Sequence, residues 1–177
     1  MNKYIALLLI LSALMPLGID VAKVHAATSK PDLIVASNKP YDLRTQALEN
    51  VLKRYNSPLT YHAAAYIKTA DKYGMDWKLL PSIAGLESTF GKRQMPGSYN
   101  SYGWGGGRIY FESVEHGIDT VLFGLKNRYV ARGATTVETI APIYSESPTW
   151  APRVRLFMKQ FEAEYDKLSK QHLALSI

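Results

Sequence analysis

The run DWKLLPSIAGLESTFGKRQMPGSYNSYGWGGGRIYF, residues 76 to 111, changes character once, and that change decides how the fold is read. Up to Phe90, the apolar residues Leu79, Ile83, Leu86 and Phe90 recur at spacings of three and four, which predicts a helix with one buried stripe. Asp76 is a candidate cap for it. Pro81 conflicts with a regular helix, because proline past the first turn loses a hydrogen bond and clashes with the turn before it. The regular part is therefore expected to start near Leu80. From Gly91 onward, six glycines (Gly91, Gly97, Gly103, Gly105, Gly106, Gly107) alternate with Tyr99, Tyr102, Trp104 and Tyr110. Such a segment is too rich in glycine for a helix and reads as loops with a small hairpin.

Outward from this run the pattern is helical. Gln46 to Tyr55 is expected as a short helix closed by Asn56-Ser57-Pro58, and Thr60 is a candidate cap for a second from Tyr61 to Tyr73, ended by Gly74. Beyond the glycine-rich excursion, Ser113 caps a helix carrying Val114, Ile118, Val121, Leu122, Leu125 and Tyr129 and stopping at Gly133. Thr135 with Glu138 resembles a capping box for a helix to Tyr144. After Ser147-Pro148-Thr149, a last helix puts Val154, Phe157, Phe161, Tyr165 and Leu168 on one face. Six helical segments around one aromatic excursion predict a mainly α fold: one helical domain over residues 44 to 170, with a small loop or β-hairpin lobe and a tail at 171 to 177.

The N-terminus reads as an export signal. Met1-Asn2-Lys3 precedes an apolar run from Tyr4 to Leu14, a Pro16-Leu17-Gly18 break and the small-residue pattern Val24-His25-Ala26. The run's eleven residues, ten of them apolar, are far fewer than the ~20 a membrane-crossing helix needs. Cleavage after Ala26 would leave 151 residues, one ordinary domain, with 27 to 43 as a linker. The expectation is a secreted, cell-wall-associated monomer. The absence of cysteine excludes a lipid-anchored form, thiolate chemistry and disulfides, so stability must come from the core. Of 21 Lys+Arg and 15 Asp+Glu, the signal would remove Lys3, Lys23 and Asp20, leaving 19 against 14. A basic exported protein tends to associate with anionic surfaces such as cell walls. Nucleic acid is not expected as a partner, because the basic residues are scattered among acidic ones and no nucleic-acid motif appears. No metal is expected either: His62, His116 and His172 lack ligand spacing. No G-x-S-x-G elbow or phosphate loop is present, and no cofactor is implied.

Glu87 lies beside the apolar stripe of its helix, directly before the aromatic loop. A carboxyl half buried there would have its charged form destabilised, as a general acid near neutral pH requires. Helix geometry alone favours a surface glutamate ending a helix turn. Sugars stack their ring faces on aromatics and hydrogen-bond to amides and phenols, so Tyr99, Asn100, Tyr102 and Trp104 suit a saccharide cleft. The same residues also suit a cluster that packs the loop onto the domain.

The stretch GLESTFGKRQMPGSYNSYGWGG, residues 85 to 106, resembles the lysozyme-like superfamily's catalytic glutamate, aromatic-Gly pair and downstream Asn-x-aromatic-Gly. It is most similar to bacterial endo-β-N-acetylglucosaminidases of the autolysin type, and its Glu-Ser pair is similar to the soluble lytic transglycosylases. YFESVEHGIDTVLFGL (110 to 125) and YSESPTWAPRV (144 to 154) resemble the post-cleft helix and late tyrosine segment, so the likeness spans about residues 60 to 160. Gly103-Trp104-Gly105-Gly106 departs from the Gly-Leu-Met-Gln-like stretch of the transglycosylases. The resemblance implies a lysozyme-like domain that cuts peptidoglycan or a related N-acetylated glycan, with Glu87 protonating the glycosidic oxygen and Ser88 orienting it. It implies further that Asn100, Tyr102 and Gly103 line the cleft and that Tyr144 lies near the sugar being cleaved, while Trp104 is a cleft candidate from its residue type alone. A transglycosylase and a silent glycan-binding module are the alternatives. Glycosidases usually employ two carboxylates. No second one is evident: Glu112, Glu115 and Glu146 read as surface charges, and either assistance by the substrate's 2-acetamido group or a single-glutamate mechanism would dispense with it.

Overall fold

The computed structural model describes residues 41 to 176, so the expected export signal and most of the expected linker lie outside the described residues. Among the described residues the chain is mainly helical and has no strand. The excursion forms no hairpin. Tyr99, Gly97, Gly103, Gly105, Gly106 and Gly107 all take positive φ, which turns the chain repeatedly and leaves no extended stretch for a ladder.

Among the described residues six α-helices carry the fold. Helix α1, Leu43–Arg54, starts earlier than expected and shortens the linker, because Asp42 caps it by accepting the Arg44 N–H at 2.9 Å. It buries Ala47, Leu48, Val51 and Leu52. A 3-10 turn over Pro58–His62 follows, capped by Ser57; Thr60 does not cap but donates its hydroxyl to the Ser57 carbonyl. Helix α2, Ala63–Tyr73, ends at Gly74 as expected.

Helix α3, Leu79–Ser88, is the centre of the molecule. Leu79 to Gly85 are buried on every side, the signature of a helix enclosed by others. Pro81 offers no conflict, because it is the third helical residue, where a backbone N–H would have no intrahelical partner. Asp76 instead caps the turn before the helix, accepting the Lys78 N–H.

Helix α4, Val114–Gly124, is capped by Ser113 and runs into a π turn at Leu125–Tyr129 and a 3-10 turn at Val130–Arg132 before Gly133 stops it. Helix α5, Val137–Tyr144, uses a capping box one residue later than expected, Thr136 with Thr139. A threonine hydroxyl there both donates and accepts, and Glu138 turns to Arg155 instead. Helix α6, Trp150–Leu175, continues through most of the expected tail. It packs against α1 and α3. Its buried face is Val154, Met158, Phe161 and Leu168, while Phe157 and Tyr165 are only partly covered. Glu164 is also buried there, held by the Asn50 amide at 2.9 Å and the Arg54 guanidinium at 2.8 Å across to α1.

Candidate active site

The exit from α3 builds the site. Thr89 and Phe90 both adopt left-handed backbone, φ 53° and 56°, although neither is glycine. Each such residue costs roughly 1–2 kcal/mol. The turn drives the Phe90 ring inward rather than along the helical stripe, fully buried against Tyr55, Phe157 and Phe161 at 4.4, 5.0 and 6.2 Å between centroids. Burying a phenylalanine returns about 1.5–3 kcal/mol. Gly85 makes the room, since a Cβ there would sit 2.6 Å from the Phe90 ring. Glu87 is thereby left on the last turn of the buried helix, facing out where the chain reverses.

Glu87 is exposed rather than half buried, which corrects the expectation of a desolvated carboxyl. It is nonetheless held. Its Oε1 accepts the indole N–H of Trp150 at 2.9 Å, and Trp150, only 2% exposed, stacks on Tyr144 at 4.9 Å and 29°. Its Oε2 faces Gly103, where an added Cβ would lie 3.2 Å away. With φ +64° as well, Gly103 is glycine for backbone and for space.

Ser88 does not touch Glu87. Buried at the helix end, its Oγ lies 2.7 Å from the Ser101 carbonyl and 3.0 Å from that of Ala84, and accepts the Gly91 N–H at 2.8 Å. It stitches the loop to the helix. Asn100 is buried too, and its side chain is fully engaged with the loop: Nδ2 donates to the carbonyls of Trp104 and Ile109 at 2.9 and 3.0 Å, and Oδ1 accepts the Trp104 N–H at 3.0 Å. It braces the loop from inside. Tyr102 is completely buried, its phenol 2.8 Å from that of Tyr66, so it is a core residue and offers no face to a ligand. Burial pushes both phenols up, so each remains protonated.

Trp104 is half buried over α4, its ring so close to Gly124 that a Cβ there would meet it at 2.4 Å. It adjoins Tyr129 and Tyr144 at 6.1 and 6.0 Å. The Tyr144 hydroxyl donates to the Tyr102 carbonyl at 2.6 Å. Burial first, then the neighbouring Glu87 charge, holds the Tyr144 phenol well above its usual range, so it stays a donor.

Two hollows meet at Gly103 and Gly106. One, about 350 Å³, is lined by Glu87, Ser88, Arg93, Asn100 and Arg108 among others. The other, about 220 Å³, is lined by Trp104, Tyr129 and Tyr144. Larger hollows, about 460 Å³ around Leu79 and Ile140 and about 480 Å³ around Thr45 and Ile67, hold none of the candidate residues; size alone would point away from the chemistry. Among the described residues, no carboxylate other than Glu87 lines either hollow beside Gly103. Glu112 and Glu115 pair with His116 and His62, and Glu146 is exposed. No three metal-ligating side chains gather among the described residues.

The structure thus brings together Glu87, Gly103, Trp104 and Tyr144, and assigns Ser88, Asn100 and Tyr102 to the support behind them. Sequence reasoning missed Trp150, Tyr129, Arg93 and Arg108. Nothing local links Trp150 to Glu87, which lies 63 positions away, although its place at the start of an amphipathic helix marks it as anchored. No protein-family model and no curated protein sequence matches the chain.

Proposed function

We propose that this chain is an exported lysozyme-like enzyme that cleaves β-1,4 bonds in the glycan strands of peptidoglycan, as an endo-β-N-acetylglucosaminidase-type hydrolase with Glu87 as general acid. The observation that carries the reading is the seating of Glu87. A single carboxyl ends the most buried helix, is fixed by the Trp150 N–H, and opens onto a groove that continues into an aromatic hollow suited to sugar rings.

In this reading the protonated Glu87 donates to the glycosidic oxygen as the C1–O bond breaks and its electron pair moves to that oxygen. The groove offers no second carboxylate among the described residues, so the substrate's own 2-acetamido carbonyl oxygen forms the new bond to C1. Water then opens the cyclic ion and returns a proton to Glu87. Opening by the sugar's 6-hydroxyl would instead make the enzyme a lytic transglycosylase.

A second reading, a catalytically silent glycan-binding module, is favoured by the exposure of Glu87, since acids working near neutral pH usually sit in dry pockets. Glu87→Gln separates the two. The amide preserves shape but cannot protonate a leaving oxygen, so fragment release from peptidoglycan should fall ~10²- to 10⁴-fold with melting and wall binding unchanged. Unchanged release would remove Glu87 as the acid. Mass spectrometry of the fragments reads the bond: reducing N-acetylglucosamine ends for the glucosaminidase, reducing N-acetylmuramic ends for a muramidase, 1,6-anhydro ends for the transglycosylase. Binding without fragments from the native protein would favour the module.

A further inference from the structure

The groove that holds Glu87 is also lined by two arginines. Arg93 and Arg108 line it from opposite ends of the glycine-rich loop, and both are exposed. Among the described residues neither pairs with a carboxylate, Glu87 included; Arg128, Arg132 and Arg153 are also without one, but none of those lines the groove, and Arg44, Arg54 and Arg155 are paired. Their backbones are nonetheless fixed. The Arg93 N–H donates to the Ser88 carbonyl at 2.8 Å, and Ile109, next to Arg108, has its carbonyl held by the buried Asn100 amide. The polar network behind the groove therefore fixes the backbone from which both side chains leave, and no hydrogen bond among the described residues engages their guanidinium donors.

We propose that Arg93 and Arg108 are specificity residues that bind carboxylates of the glycan, so that the groove selects an anionic strand over a neutral one. The inference rests on the groove being a glycan site, as set out above. A chito-oligosaccharide of N-acetylglucosamine alone carries no anionic group. A muramoyl sugar carries a lactyl ether at its 3-position, whose carboxylate is free in denuded strands and bears a peptide with its own carboxylates in intact ones. A guanidinium meets a carboxylate with two parallel N–H···O bonds and cannot lose its charge, so it suits such a group better than any neutral hydroxyl.

The test compares the double variant Arg93→Ala/Arg108→Ala with the native protein on three ligands of equal sugar length: denuded muramoyl strands, strands keeping their peptides, and chito-oligosaccharide. Binding is read by calorimetry in a Glu87→Gln background and cleavage is read separately. A control double variant, Arg132→Ala/Arg153→Ala, removes the same charge from exposed positions outside the groove lining. We expect the groove variant to bind the carboxylate-bearing strands about 10- to 100-fold more weakly, with neutral-oligomer binding and melting temperature unchanged and the control near native. Loss on denuded strands assigns the lactyl carboxylate, and loss only on peptide-bearing strands assigns the peptide. Equal loss in the control would reduce the effect to overall charge and overturn the proposal, as would equal loss on the neutral oligomer. Native cleavage with arginine-independent binding refutes this inference and leaves the enzyme reading standing. Arginine-dependent binding without any cleavage does the reverse, and a native protein that neither binds nor cuts any of the three sinks both.

Discussion

Replacing Asn100 with alanine tests whether this residue supports the loop or serves a ligand. The substitution removes three hydrogen bonds, two to backbone carbonyls of Trp104 and Ile109 and one from the Trp104 N–H. At roughly 1 kcal/mol net for each bond, the loss should be about 2–4 kcal/mol, with the lower end favoured because the loop is near solvent and its freed groups can reach water. Urea unfolding at neutral pH measures the global part. Amide hydrogen exchange measures the local part, and the Trp104 N–H should lose protection even if the helices hold. Asn100→Asp should be no better, because it keeps an acceptor for Trp104 but sets carboxylate oxygens against two carbonyls. If the alanine variant unfolds within about 0.5 kcal/mol of native and keeps Trp104 protected while glycan binding is lost, the bracing argument is wrong and Asn100 contacts ligand directly.

Two further outcomes follow from packing and charge. Gly124→Ala should gain about 1 kcal/mol of helix propensity yet come out destabilised by ~1–3 kcal/mol, because the methyl enters the space of the Trp104 ring at 2.4 Å. Tryptophan fluorescence should shift with it, and a raised melting temperature would show that Trp104 is not seated over α4. Glu164 has its pKa lowered, first by the Asn50 amide and then by Arg54, against the opposing effect of burial. A carboxyl depressed on folding contributes stability in full above its ordinary value of 4.5, and that contribution is lost as pH falls through the lower folded value. Glu164→Gln should therefore be less stable by ~1–3 kcal/mol at pH 7, with the gap closing below pH 4.5; a pH-independent gap would contradict the linkage.

What the sequence determined by itself is what local pattern encodes. Apolar spacings, caps and turn residues together placed the six helices of the described residues, because each of these signals is a property of one segment; the helix after Ser113, expected to run unbroken to Gly133, gives way to π and 3-10 turns after Gly124. Ser113 and Gly74 marked ends for the same reason: a cap needs only its own neighbours. The placement of Glu87 at a helix end beside the glycine-rich loop was also legible. Tertiary structure alone decided what each candidate does. Ser88, Asn100 and Tyr102 look like ligand-binding residues by type, yet their hydroxyls and amide are spent on Ser101, Trp104 and Tyr66. Periodicity names the helix face that Glu87 borders but not what covers it, so its exposure depends on how far the loop and α6 reach. The left-handed pair Thr89-Phe90 carries no glycine to announce it, and it is held by a ring pocket from Tyr55, just past α1, and from α6 that forms only once those distant segments meet. Trp150 reaches Glu87 for the same physical reason: packing joins residues that share no local pattern.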